Sequence, residues 1–224
     1  MLLNKKKLLT CFFLVYVSLS ALSQVRHKKV KKKLKKHIEF LASDSLLGRE
    51  TGTLGEELAR QYIAQQFSKI NLSSFYPNYS QKFEIKTLHH HIKLDEPIVS
   101  HNVVGYIDNL SEKTIVIGAH YDHLGMGEEG SLYVGQKAIH NGADDNASGV
   151  ALLIELADYF SRRKINSNLI FVAFSGEEKG LLGSNYFADN FPIELSAANF
   201  MINMDMVGRY DNQKGVVIGG VGTS

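Results

Sequence analysis

Leu169-Ile-Phe-Val-Ala-Phe174 is an unbroken apolar run, and Ser175-Gly-Glu177-Glu178 follows it directly. A strand with one wet face alternates apolar and polar side chains. A run without that alternation reads as a strand buried on both faces, as in a sheet held between helices. Two further apolar runs end the same way. Thr114-Ile-Val-Ile-Gly118 leads into Gly118-Ala-His120-Tyr-Asp122-His123, and Phe200-Met-Ile-Asn-Met204 leads into Asp205-Met-Val-Gly208. A fourth polar segment, Gly142-Ala-Asp-Asp145-Asn146-Ala-Ser-Gly149, joins a Gly-rich loop over 124–141 to an apolar helix over 148–161. Residues 180–190 read as another helix. Residues 81–87, 102–107 and 216–218 read as further strands. Upstream, Leu58, Tyr62, Ile63, Phe67 and Ile70 form the stripe of a helix entered through Thr53-Leu-Gly-Glu56, a capping-box pattern. Strands alternating with helices predict an α/β three-layer sandwich, with a central mixed, mainly parallel sheet flanked by helices. The acids and histidines then collect on one rim of the sheet, where ligands bind in such folds.

Each segment has a bland and a sharp reading. His120 and Asp122, two residues apart at a strand end, point to one side. Asp122 can fix the ring of a metal-bound His120, or the pair is an ordinary hydrogen-bonded one. Asp144, Asp145 and Asn146 can cap the following helix, or the acids can bind metal. Glu177 and Glu178 can divide metal binding from proton transfer, or sit at an exposed helix start. Asp205 interrupts an apolar run, which is costly unless the acid is paired or metal-bound. His89-His90-His91 lies in a polar connection, where adjacent rings seldom converge on one ion.

The formal charge of +2 is unevenly distributed. Of the 25 Lys and Arg, three fall in residues 1–23 and eight in residues 24–37, which leaves residues 38–224 at −9. The body is therefore acidic, which argues against a nucleic-acid partner and suits a protein that gathers carboxylates around cations. Val30, Leu34, Ile38 and Leu41 recur at helical spacing with lysines between them, so the basic run reads as the solvated face of a helix. Lys5-Lys6-Lys7, the apolar stretch Leu8 to Val17 and the small residues before Gln24 read as a signal peptide over 1–23. An uncleaved anchor is the alternative. Secretion or a periplasmic location follows, with no stable membrane association after cleavage. Cys11 is the only cysteine, so residues 24–224 have no disulfide.

Taken together, the four polar segments resemble the successive motifs of the co-catalytic di-zinc aminopeptidases, a secreted family that includes leucyl aminopeptidases. The likeness is strongest from residue 102 onward, with a looser similarity over Leu34 to Phe83 that includes Leu46-Leu-Gly-Arg-Glu-Thr-Gly52. It implies a zinc-exopeptidase-like fold over residues 24–224 with its last strands and helices missing. It also implies peptide substrates with a free N-terminus, and hydrolysis of the N-terminal peptide bond by a water activated between two zinc ions. Carried over by motif, Asp145 bridges the ions, His120 and Asp205 complete one site, and Glu178 binds the other. Glu177 becomes the general base and Asp122 the residue that orients His120. The family also has a cis peptide after its bridging aspartate, here Asp145–Asn146. The family's final histidine ligand has no counterpart, since no histidine follows His140. His101 and His140 are substitutes by proximity only. The expectation is a C-terminally truncated chain that binds zinc weakly or at one site. Two alternatives share the fold: a single-zinc glutaminyl cyclase and a non-catalytic ectodomain that has lost its metals.

Overall fold

The structure is a computed structural model that describes residues 27–89, 91–213, 215 and 217–220. The expected signal segment, Cys11 and His90 lie outside the described residues. Among the described residues, no helix is long and apolar enough to cross a membrane.

Among the described residues, five strands form one mixed sheet: β1 (Ser80–Leu88), β2 (Ile92–Ile107), β3 (Thr114–His120), β4 (Asn168–Phe174) and β5 (Ala198–Asn203), in the order β1-β2-β4-β3-β5. β1 pairs with β2, and β2 with β4, in antiparallel fashion, while β3 runs parallel to both β4 and β5. Helices α1 (residues 27–41), α2 (Leu54–Lys69), α3 (Gly149–Phe160) and α4 (Leu182–Asp189) complete the three layers.

The apolar run of β4 explains the layering. Leu169, Phe171 and Ala173 face one way and pack with Leu41 of α1, Ile63 and Phe67 of α2, and Val150 and Leu153 of α3. Ile170, Val172 and Phe174 face the other way, with Val104 and with Phe187 of α4. Side chains of a strand alternate between faces, so a strand covered on both sides has no polar position to spare. β5 lies at the sheet's edge, with Phe200, Met201 and Ile202 each about half exposed.

The sequence reading differs from the structure in four places. β2 starts at Ile92, ten residues before the predicted strand at 102, because its first half forms an exposed arm paired to β1 through the backbone. That pairing leaves no apolar face to detect. The strands at 102–107 and 114–118 follow each other in sequence, yet β4 inserts between them. Of the strand predicted at 216–218, residue 216 lies outside the described residues and 217–218 carry no regular structure. The capping box does not form either. The Thr53 hydroxyl donates to Glu50 O, and Glu56 Oε2 accepts the Gly52 N–H at 2.6 Å.

Candidate metal centre

The parallel strands deliver their C-terminal ends to one rim, and every site residue read from the sequence lies there. His120 is the last residue of β3, opposite Phe174 at the end of β4. Glu177 and Glu178 follow β4, Asp205 follows β5, and Asp145 sits in the turn that enters α3. His120 Nε2 is 3.1 Å from Asp145 Oδ1 and 3.5 Å from Asp205 Oδ1. Among the described residues, three groups of potential ligand atoms form: His120 with Asp145 and Asp205, His120 with Glu177 and Glu178, and His123 with Asp145 and Glu178.

Local contacts aim these side chains. His120 Nδ1 donates to the Asp122 carbonyl at 3.2 Å, and the Asp122 carboxylate stands 3.7 Å away. That carboxylate is fully buried, and its close partners are the Thr51 hydroxyl and the backbone N–H groups of Glu177 and Glu178, at 3.0, 3.1 and 3.3 Å. Asp122 therefore positions the Glu177–Glu178 turn as well as the ring of His120. The Asp145–Asn146 peptide is cis. Asn146 takes the capping role offered to its acidic neighbours, since its Oδ1 accepts the Gly149 N–H at 3.0 Å. Its Nδ2 donates to Met204 O at 2.9 Å, Gly208 N–H donates to Asp144 Oδ1 at 2.9 Å, and Val207 N–H to Ser148 Oγ at 3.0 Å. These bonds fasten the Asp205 loop to the Asp145 turn and leave the carboxylate of Asp145 free for the histidines.

The electrostatics fit a cation. Burial opposes charge on His120, but hydrogen bonds to Asp122, Asp145 and Asp205 outweigh it and push the ring up to about 12. The hydrogen bond to His120 holds Asp145 below the usual carboxylate range, against burial. Burial raises Glu177; His120 opposes this, and Asp122, Glu178 and Asp205 add to it. Imidazole nitrogen with carboxylate oxygen is a zinc donor set, and ligands about 2.0–2.2 Å from a tetrahedral ion lie roughly 3.3–3.5 Å apart. The 3.1 and 3.5 Å separations around His120 Nε2 match that spacing.

The remaining histidines divide. His140 is bonded to Ser131 Oγ and Ala138 O, and His91 to His89 O, away from the cluster. His101 and His140 join none of the potential ligand groups among the described residues. His123 does, with its Nδ1 2.8 Å from Glu178 Oε1. Its place beside Asp122 at a strand end was the available signal, and sequence reasoning gave it no role.

Sequence reasoning also missed a buried layer beneath the rim. Glu56 is 4% exposed. Its carboxylate accepts the Ser100 hydroxyl at 2.6 Å, the Ser175 hydroxyl and the Gly52 N–H. Burial pushes this carboxyl up to about 7, against those hydrogen bonds and with help from Asp122. A folded-state value above the unfolded 4.5 means the native state holds the proton longer. Its stabilisation is complete below pH 4.5 and lost as pH rises through 7. The difference in stability between the chain and Glu56→Gln is thus expected to fall by on the order of 3 kcal/mol across that window, then level off. Urea unfolding of both proteins from pH 4.5 to 8 checks this; parallel curves would exclude it.

A mixed sheet covered on both faces, with histidines and carboxylates converging at the ends of its parallel strands, defines an α/β protein with a rim-mounted metal centre. The chain belongs to peptidase family M28, whose sequence profile matches residues 102–224. It is 28% identical over 211 residues to a probable zinc metalloprotease of Pyrenophora tritici-repentis (strain Pt-1C-BFP), covering 87% of this chain and 44% of that protein. Its fold is similar to a leucine aminopeptidase precursor from Bacteroides thetaiotaomicron VPI-5482, with a TM-score of 0.64 at 19% identity over 79% of this chain and 62% of that one. A glutaminyl cyclase from Porphyromonas gingivalis superposes with a TM-score of 0.67 at 21% identity, over 79% and 61% of the two chains. The chain thus spans less than half the length of this curated relative and about three fifths of these solved structures.

Proposed function

We propose that this chain carries the metal centre of an exported zinc aminopeptidase that removes the N-terminal residue of peptides. The observation that carries the reading is the convergence of Asp145 and Asp205 on His120 Nε2 at zinc-ligand spacing, with Glu177 beside them in a group of its own with His120 and Glu178. Membership of family M28 and the resemblance to a zinc metalloprotease support zinc and peptide hydrolysis. The signal-like sequence of residues 1–23 supports export.

His120, Asp145 and Asp205 would hold one zinc ion, and Asp145 and Glu178 contribute to a second. Bound there, zinc supplies Lewis acidity toward a carbonyl and lowers the pKa of water. The protein's own groups do the rest. Glu177 has its backbone fixed by Asp122 and its side chain left free of hydrogen bonds to other described residues. Burial raises its proton affinity above that of a free glutamate, the direction a general base needs. It takes a proton from the attacking water and returns it to the leaving amine. The acidic rim attracts the ammonium of a free N-terminus, which favours exopeptidase over internal cleavage.

Glu177→Gln keeps the shape of the side chain and removes its basicity. It is expected to lower kcat on an aminoacyl-anilide by about 10²–10⁴-fold while bound zinc stays unchanged. Unchanged turnover would remove Glu177 from this role. Conversion of an N-terminal glutamine to its cyclic form, with no peptide hydrolysis, would replace aminopeptidase with cyclase.

A further inference from the structure

We propose that Glu56 is a positioning residue for Glu177: from the first turn of α2 it holds the turn over residues 175–178 in place against Asp122. This rests on the reading of Glu177 as the base and goes beyond it, because Glu56 lies in none of the four polar segments.

Three observations carry the inference. The first is what the carboxylate gathers. Glu56 Oε1 accepts the Ser100 hydroxyl of β2 at 2.6 Å and the hydroxyl of Ser175, the residue after β4. The Tyr121 hydroxyl, from the residue after β3, stands 3.4 Å from the same oxygen and donates to His101 O at 2.8 Å. Oε2 accepts the Gly52 N–H at 2.6 Å. One oxygen thus meets three strands or strand ends under the rim, while the other ties the carboxylate to the entry of its own helix. Ser100, Tyr121 and Ser175 are at most 1% exposed, so water does not stand in for these contacts.

The second is the short path from that anchor to the base. Ser175 lies two residues before Glu177. Its N–H donates to Asn102 Oδ1 at 3.2 Å, its carbonyl accepts the Gly183 N–H at 2.9 Å, and its hydroxyl goes to Glu56. Gly176, at φ +68, then turns the chain. Beyond it, the N–H groups of Glu177 and Glu178 donate to Asp122 at 3.1 and 3.3 Å. The turn is held at its start by Glu56 and Asn102 and at its end by Asp122. Asp122 in turn accepts the Thr51 hydroxyl at 3.0 Å, one residue before Gly52. Both grips therefore trace back to the entry of α2.

The third is the cost of the arrangement. Burial pushes the Glu56 carboxyl up to about 7, and Asp122 adds to that rise. For stability alone, a well-packed apolar side chain often serves as well as a buried ionisable one. For direction it does not. Each hydroxyl has one proton to donate, and an acceptor at Oε1 draws both. Without it, the Ser100 and Ser175 hydroxyls, 2.6 Å apart, would bond each other, and Ser175 would lose its tie to α2.

The test compares zinc-loaded Glu56→Leu, Glu56→Gln and Ser175→Ala with the wild type on an aminoacyl-anilide. Displacing a catalytic group by about 1 Å costs on the order of 10²-fold in rate, so Glu56→Leu should lower kcat by about that factor with KM and bound zinc unchanged. Glutamine keeps an oxygen acceptor for the two hydroxyls, and Glu56→Gln should recover about tenfold of the loss. Ser175→Ala cuts only the tie to the turn and should lower kcat about tenfold, and it carries the same test if Glu56→Leu does not fold. Backbone hydrogen exchange of the metal-free proteins reads the turn without activity. In Glu56→Leu the N–H groups of Glu177 and Glu178 should gain at least about tenfold more in exchange rate than those of Phe171 and Val172 in β4. A general loss of stability would speed β4 as much as the turn. That pattern, unchanged kcat in the variants, or a loss confined to KM or bound zinc would overturn the role of Glu56 and leave Glu177 as the base. A wild type without hydrolysis would overturn Glu177 as the base, and the exchange rates would still decide whether Glu56 holds the turn.

Discussion

Asp145→Ala is expected to leave a chain that binds no zinc at concentrations saturating the wild type, and to lower peptide hydrolysis by at least about 10⁴-fold, near 5 kcal/mol of transition-state stabilisation. Asp145 belongs to the group of His120 with Asp205 and to that of His123 with Glu178, with one oxygen directed to each ring. His120 and Glu178 also belong to two groups each, but neither presents separate oxygens to the two rings. Folding should respond in the same direction, by less. Without metal, Asp145 pairs with the buried ring of His120, which holds its carboxyl below the usual range. The metal-free variant should therefore melt somewhat lower than the metal-free wild type. Added zinc should raise the wild type alone, by about 2.7 kcal/mol at a hundredfold excess over Kd. Calorimetry and thermal melts with and without zinc measure both halves. A variant that melts lower without metal, yet still binds zinc, would show that Asp145 serves the fold.

Much of this was legible in the chain, for identifiable reasons. β3 and β4 are apolar because they are covered, β5 is apolar though half exposed at the edge, and the parallel arrangement of the three brings the polar segments after them to one rim. His120, Asp145, Glu177, Glu178 and Asp205 could be read as a set because each follows a strand or enters a helix. The residues that escaped depend on what folds over them. The exposed arm of β2 carries no periodicity, since backbone pairing alone makes it a strand. Glu56 matches a capping box in sequence, but Ser100 and Ser175, 44 and 119 residues away, turn it into a buried carboxyl under the site. His123 sat in plain view beside Asp122. Its partners, Glu178 and Asp145, are brought over from the segment after β4 and the turn into α3. Pairings of that length are set by topology, which a local pattern does not contain.

Arg49 is the strongest such case, and Arg49→Met is expected to destabilise the chain by about 3–5 kcal/mol, enough to unfold much of it at 37 °C. The side chain is 1% exposed. Its guanidinium donates to Tyr121 O at 2.9 Å, Asn141 O at 2.7 Å, Gly142 O at 3.0 Å, and Leu41 O. Those carbonyls belong to the end of α1, the strand end that carries His120, and the loop that leads to Asp145. One cation thus joins three segments otherwise distant in sequence. Burial lowers it to about 10, while Asp122, Asp145 and Glu178 hold it up, so it stays charged at neutral pH. Methionine fills much of the same volume but donates to none of the four carbonyls; Gly142 O keeps the Ala147 N–H, and each buried acceptor left orphaned costs about 1–3 kcal/mol. It also removes the buried guanidinium that faces Asp122, Asp145 and Glu178. Arg49→Lys separates these two effects. A single ammonium restores the charge but cannot reach every carbonyl the planar fork reaches, so about half the loss should remain. Urea unfolding of the three metal-free proteins measures the order: wild type, then Arg49→Lys, then Arg49→Met. If lysine restored full stability, charge alone would be the cause. If methionine cost under about 1 kcal/mol, as for an ordinary surface change, the junction would not be holding the rim together.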